Sequence, residues 1–274
     1  MRDVFFHIGL YKTATTWFQR HLFPSLPGIR LIRTKRIDEI AAQLQAYAGL
    51  DDTVIVSEEA LSETITEKRK PGHSAGKLAR NLELIGALAP ERGIIIAFRE
   101  HASWLTAAYG QRAKKNAGLT HERYVGAFSA EDLSWCTKLD LIEQSCPRVF
   151  PLLYEELLRE PKALTEELCR FIGKGVPADL DRLLLIRENP TPRSAAGHLL
   201  TRAILKLAGS HRRLVKRRAY RLGASVDRFF PHHPITIPPD LAAILEQDWN
   251  RLLDRVGERR GRDFSAYKSA RHTS

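Results

Sequence analysis

Cysteine is scarce in this 274-residue chain: Cys136, Cys146 and Cys169 are the only ones. Three widely spaced thiols exclude a disulfide framework and a zinc site, and they point to a reducing, cytoplasmic compartment. Long apolar runs are missing too. The longest candidate, Gly93-Ile-Ile-Ile-Ala-Phe98, falls far short of the roughly 20 apolar residues that a bilayer crossing takes. The opening residues Met1-Arg-Asp-Val-Phe-Phe lack the small-residue cleavage site of a signal peptide and run straight into an expected core strand. There is no internal repeat, no low-complexity stretch and no zinc-finger or RNA-reading motif with interleaved aromatics, so nucleic acid is not an expected partner. What remains is ordinary globular composition. With 43% hydrophobic and 27% charged residues, disorder of the whole chain is excluded.

One further absence is local. Between Glu188 and Asp227 there is no acidic residue, while nine basic ones occur: Arg193, Arg202, Lys206, Arg212, Arg213, Lys216, Arg217, Arg218 and Arg221. Of the 43 basic and 32 acidic residues, the rest of the chain holds 34 and 32, so this segment accounts for most of the net charge of +11. Leu200, Ile204 and Leu207 recur in it at helical spacing, which predicts an amphipathic basic helix. Its plain role is a solvated face. Its functional roles are contact with an anionic acceptor or cofactor phosphate, or a peripheral seat on an anionic membrane surface.

Runs of β-branched and aromatic residues alternate with helical periodicity. Val4–Ile8, Thr53–Val56, Gly93–Phe98 and Val149–Tyr154 read as buried strands. Helices are expected from Thr15, over Ser74–Leu88 and Ala102–Ala113, and over Pro161–Ile172, which has proline in its first turn and Gly173 just past its end. This alternation predicts an α/β fold with a P-loop-like parallel sheet flanked by helices. One domain over 1–274 is expected, with a core over about 1–178 and a helical, basic part over about 179–274.

After the first strand comes His7-Ile-Gly-Leu-Tyr-Lys-Thr-Ala-Thr-Thr-Trp17. A small-residue loop between strand and helix aims several backbone N–H groups at one spot and adds the positive end of the helix dipole. Lys12 supplies a cation, and Thr13, Thr15 and Thr16 supply hydroxyls, so a phosphate-like oxyanion is the expected ligand. The loop is not a Walker A motif, because no glycine stands directly before Lys12. A magnesium-dependent P-loop kinase is therefore disfavoured. The plain alternative is a strand–turn–helix with an incidental lysine.

Lys12-Thr-Ala-Thr-Thr-Trp17 resembles the 5′-phosphosulfate loop, Pro-Lys-Ser/Thr-Gly-Thr-Thr-Trp, of sulfotransferases that use 3′-phosphoadenosine-5′-phosphosulfate (PAPS). Tyr11 stands for the proline and Ala14 for the glycine. Leu153-Tyr-Glu-Glu-Leu-Leu-Arg-Glu-Pro-Lys162, followed by Leu168, Phe171 and Gly173, resembles a second stretch of the same family, Tyr-Glu-Asp-Leu/Met…Asn/Asp-Pro…Phe-Leu-Gly. A third match is partial. The family's strand-end arginine falls on Arg99 and its tyrosine on Tyr109, but the serine that helps hold the donor's 3′-phosphate is replaced by Ala107. Thr106 or Ser103 stands ready to supply that hydroxyl. The likeness covers roughly Val4 to Gly173 and is nearest to bacterial carbohydrate- or lipid-type members.

The resemblance implies transfer of a sulfuryl group to a hydroxyl acceptor, a glycan or glycolipid that is anionic or membrane-associated, with PAPS as donor and no metal. It implies donor binding by Lys12, Thr13, Ala14, Thr15, Thr16, Trp17, Arg99, Thr106 and Tyr154. Lys12 would also neutralise charge on the leaving phosphate oxygen. The proton must go to a base near the loop. Val54-Ile-Val-Ser-Glu-Glu59 ends an expected strand at the sheet's ligand-binding edge, and Ser-Glu-Glu-Ala-Leu is similar to the Ser-Glu-x-Leu of bacterial members. Glu58 is the expected general base, Glu59 the second choice, and His7 and His101 follow. Two alternatives stand beside this reading: a catalytically degenerate nucleotide- or anion-binding module of the same fold, and a P-loop kinase.

Overall fold

The computed structural model describes residues 3–62, 73–113, 119–186 and 235–268, with isolated positions between 200 and 225. Five strands form one sheet: β1 (Val4–His7), β2 (Ile29–Ile32), β3 (Thr53–Ser57), β4 (Arg92–Phe98) and β5 (Val149–Leu153). Their order is β2-β3-β1-β4-β5, and every pairing is parallel. The chain leaves β1 toward one edge and resumes at β4 on the other side. That reversal opens a crevice beyond the carboxyl ends of β1 and β4, where open α/β sheets bind ligands.

Strand alternation sorts the apolar side chains into two cores. Phe6, Ile8, Val54, Val56, Ile94, Ile96 and Phe98 face one cluster, and Phe5, Ile55, Ile95, Ala97 and Leu152 face the other. Burial on both faces explains why β3, β4 and β5 read as apolar runs with no polar alternation. The first face is covered by α4 (His73–Leu88), α5 (His101–Ala113), α8 (Trp135–Ser145) and α12 (Pro239–Arg260). The second is covered by the helical stretch from α1 (Thr15–Trp17) to α2 (Phe23–Ser25), by α10 (Pro161–Ile172) and by α11 (Leu180–Leu184). Gly93 lies opposite Phe5 on β1, and a Cβ there would fall 2.5 Å from the Phe5 ring. Only glycine fits that register position.

The expected strands and helices are present to within about a residue. Gly173 ends α10 with φ +76°, the left-handed cap its place in the sequence implied. Other elements were not foreseen. β2 is a short edge strand whose Arg30 turns outward to Asp52. The helix α3 (Ile37–Ala46) and the short helices α6 (His121–Val125) and α7 (Ala130–Leu133) were unforeseen as well. Nor was the extent of α12, whose Leu245, Trp249, Leu252, Leu253 and Val256 belong to the same buried cluster as the sheet. The core thus continues past residue 178.

The short α9 (Tyr154–Arg159) is tied to the end of α12 by ions. Fully buried Glu156 accepts hydrogen bonds from Arg260 (2.6 and 2.8 Å) and Arg262 (2.6 Å), and both arginines also reach Glu167. Most of the basic segment, including Arg193, Arg202, Arg212, Arg213, Lys216, Arg217 and Arg221, and the Asn189–Ser194 loop lie outside the described residues. Ala203, Ile204, Lys206 and Leu207 are helical, and Leu207 is 88% exposed. Among the described residues no helix is long and apolar enough to cross a membrane.

Candidate active site

The loop after β1 takes a conformation that side chains resist. Lys12 (φ +69°) and Ala14 (φ +65°) are the only non-glycine residues with positive φ among those described. Each such position costs an L-residue roughly 1–2 kcal/mol. Contacts on the loop's carbonyls offset that cost. The Leu10 carbonyl accepts from Thr13 Oγ1 at 2.5 Å, the Tyr11 carbonyl from Trp104 Nε1 at 2.7 Å and the Lys12 carbonyl from Arg99 Nη1 at 3.0 Å. With these carbonyls bonded to the surrounding protein, a turn of this kind can present its amides together, the arrangement of an anion-binding nest. Ala14 caps α1, whose first internal bond runs from the Trp17 amide to the Ala14 carbonyl at 2.8 Å. The amides of Thr15 and Thr16 precede it and have no partner inside the helix.

The side chains fit an oxyanion. Thr13 is fully buried and supports the loop from below. Thr15 Oγ1 is buried with no hydrogen-bond partner. A Cβ on Gly9 would stand 3.2 Å from the hydroxyls of Thr13 and Thr15, so that glycine leaves them room. Burial lowers the proton affinity of Lys12, Glu59 acts to raise it and Arg99 to lower it further. Trp17 is 6% exposed, packs on Phe18 and donates its indole N–H to the Leu183 carbonyl at 3.1 Å. It therefore stands behind the loop, in the second core.

At the end of β4, Arg99 holds three things together. Its Nε donates to Ser103 Oγ (2.8 Å), its Nη1 to the Lys12 carbonyl, and its guanidinium lies 4.2 Å from the ring centroid of Tyr154. Of the two hydroxyls proposed to replace the one missing at Ala107, Ser103 sits beside Arg99. Thr106 instead donates to the Ala102 carbonyl at 2.7 Å and accepts from the Ile235 amide at 3.4 Å. Tyr109 points away, to the Leu119 carbonyl. Glu155 accepts from the Glu100 amide at 3.0 Å, its Oε2 is buried without a partner, and burial raises its proton affinity.

The acidic pair emerges from β3 at the same edge. Glu58 is half-buried, caps the 3₁₀ turn Glu59–Leu61 and accepts the Ala60 amide at 3.1 Å. Glu59 is the carboxylate felt by Lys12. The two histidines lie elsewhere. His7 is fully buried between Phe18 and Phe23, and burial lowers its pKa to about 3, so it stays neutral. His101 stacks on Trp135 (4.7 Å), and its Nε2 lies 3.3 Å from Asp248 on α12. Burial works to raise the Asp248 pKa, but hydrogen bonds from His101, Ser134 and the Trp135 amide bring it down to about 2. His101 therefore braces α12 against α5 and α8.

The parallel sheet thus brings Lys12, Thr13, Ala14, Thr15, Thr16, Glu58, Glu59, Arg99 and Tyr154 to one edge. Trp104, Glu155 and Gln19 also serve that edge and were not foreseen. Glu155 stood within the Tyr-Glu-Glu run and was legible there. Trp104 and Gln19 act through single hydrogen-bonding atoms, which periodicity does not reveal.

No protein-family model and no curated protein sequence matches the chain. Solved structures do. A sulfotransferase from Alicyclobacillus acidocaldarius superposes with a TM-score of 0.53 at 15% identity, over 98% of this chain and 100% of that one. The mouse sulfotransferase SULT7A1, solved in complex with PAP, gives 0.45 at 14% identity over 67% of this chain and 63% of its own. The sulfotransferase domain from the curacin biosynthetic pathway gives 0.47 at 14% identity over 92% and 98%. The first of these likenesses establishes a sulfotransferase fold, and at 15% identity it is the fold that is shared.

Proposed function

We propose that the chain is a sulfotransferase that uses PAPS and a hydroxyl acceptor. The observation that carries this reading is the Lys12–Thr16 loop: two left-handed residues, carbonyls bonded by Trp104 and Arg99, and a buried Thr15 hydroxyl with no protein partner. A phosphate would satisfy that hydroxyl together with the amides at the start of α1. When bound, the donor supplies an activated sulfuryl group, which passes to the acceptor oxygen while the electron pair of the broken sulfur–oxygen bond stays with the phosphate. Lys12 neutralises the charge left there, and its burial makes that interaction stronger than it would be in water. Thr13 to Thr16 hold the 5′-phosphate, with Trp17 packed behind them. Arg99 and Ser103 take the 3′-phosphate, Tyr154 backs the guanidinium, and Thr106 keeps α5 in place. Glu58 takes the acceptor's hydroxyl proton, and Glu59 is the nearest substitute. An anionic or membrane-associated glycan or glycolipid suits the basic segment as acceptor.

The test is thermal unfolding with 3′,5′-adenosine bisphosphate in metal-free buffer, beside ATP with magnesium. Ligand at about a hundred times its dissociation constant adds roughly 2.7 kcal/mol, a shift of several degrees at this size. A shift with the bisphosphate, followed by transfer in an acceptor screen that Glu58→Gln lowers at least about a hundredfold, is expected. A shift with magnesium–ATP alone overturns the reading in favour of a kinase. Bisphosphate binding without transfer to any acceptor favours the binding module.

A further inference from the structure

The peptide between Ser57 and Glu58 is held at both of its polar atoms by different parts of the molecule. Its N–H, on Glu58, donates to the His7 carbonyl at 3.1 Å. Its carbonyl, on Ser57, accepts from Gln19 Nε2 at 2.9 Å. The same Gln19 nitrogen donates to Ser57 Oγ at 3.1 Å, and that hydroxyl lies 2.7 Å from His7 Nδ1. Strand register accounts for half of this arrangement, because His7 and Ser57 are direct neighbours across β1 and β3. The helix accounts for the other half. After α1 the backbone widens into a π-turn over Phe18–Leu22. Phe18 and Phe23 both flank the His7 ring, at 5.3 and 5.2 Å between ring centroids. Residues five apart in an α-helix are separated by about 140° around its axis, so a regular helix would turn one of those rings away. The wider π-turn brings both onto one face, with Gln19 against the end of β3.

From this geometry we infer that Gln19 is a positioning residue: it orients the Ser57–Glu58 peptide and thereby aims the two glutamates at the loop. The inference rests on the proposed function for the role of Glu58, but the clamp itself does not. Nothing else in the described fold requires an amide side chain at Gln19, since Phe18, Leu22 and Phe23 supply the apolar contacts of that turn with the second core. A neutral His7 also leaves the clamp uncharged, so it holds across the whole working pH range.

The experiment uses the full chain with Gln19→Met, which keeps the length and volume of the side chain and removes its donor. Two readouts are taken. Hydrogen exchange of the Glu58 amide in the free protein is expected to speed up about tenfold, a tenfold rise in local opening being about 1.4 kcal/mol, while exchange in β4 is unchanged. Turnover is expected to fall about tenfold with bisphosphate affinity within about threefold, the split expected of a lost positioning contact. In a Glu58→Gln background the same substitution is expected to cost no further turnover, because both act through one group. Unchanged exchange at Glu58, an equal loss of bisphosphate affinity and turnover, or a full additional loss in the Glu58→Gln background would overturn the inference. Full turnover in Glu58→Gln alone, with exchange at that amide still accelerated by Gln19→Met, would instead overturn the assignment of the base.

Discussion

Two polar centres lie a few residues apart along one short helix, and they are built on opposite principles. Tyr154 and Glu155 face the loop edge, where Thr15 Oγ1, Glu155 Oε2 and, beneath them, His7 Nε2 are buried with no partner. Glu156, the next residue, faces Arg260 and Arg262, and each of its oxygens is taken. Buried polar groups that pair completely hold a fold together, and those left open in a cleft beside a desolvated cation are where a ligand or a reaction is sought. In this chain three of the open groups cluster at the carboxyl edge of the sheet, with the two left-handed residues and the desolvated lysine. The paired set joins the last helix to the core.

The sharpest way to break that contrast is at the paired centre. Glu156→Gln leaves two arginines facing a neutral group, and a broken buried pair costs about 3 kcal/mol or more. Urea unfolding is expected to show that loss, with bisphosphate affinity nearly unchanged in the folded protein. Acid acts on the open centre. His7 titrates at about 3 when folded and 6.5 as its ordinary value, so the unfolded chain binds the extra proton between those limits. Stability conferred by a neutral His7 is complete above pH 6.5 and falls by about 1.4 kcal/mol per pH unit below it. Unfolding midpoints measured from pH 7 to 5 are expected to decline with that slope, and His7→Leu to flatten it.

Lys12→Ala separates function from stability. Turnover is expected to drop at least about tenfold, equal to about 1.4 kcal/mol of barrier, while the melting temperature holds or rises because a buried cation has gone. A melting temperature that falls together with turnover would place Lys12 in the paired class. The smallest expected effect is Ala14→Gly. Relief of the left-handed backbone is worth about 1 kcal/mol, visible as a higher melting temperature with bisphosphate binding retained.

Much of the make-up of this edge was legible in the sequence. Lys12, the threonines, Arg99 and Tyr154 are found at one edge because each follows an apolar run, and a parallel sheet places every strand's end on the same side. The proposed base was legible only as a segment, since Glu58 and Glu59 are adjacent and the local turn decides which way each points. The proposed replacement hydroxyl was narrowed in the sequence to two residues and no further. Ser103 and Thr106 both lie on α5, but only Ser103, four residues after Arg99, accepts its Nε. The histidines were ambiguous for the same reason: a ring nitrogen's role follows from what packs around it.

The sequence by itself determined four of the five strands, the loop after β1 and the residue types at the sheet's edge, because apolar runs, glycine and hydroxyl placement act over a few neighbouring residues. Tertiary structure alone decided which of those groups are paired. Glu156 meets Arg260 across 104 positions, and Arg99 meets the Lys12 carbonyl across 87. Gln19 meets Ser57 across 38. Contacts of that separation depend on how strands and helices stack, and local patterning does not encode them. The same packing leaves Thr15 Oγ1 and Glu155 Oε2 buried without a protein partner, at the edge where the proposed donor would bind.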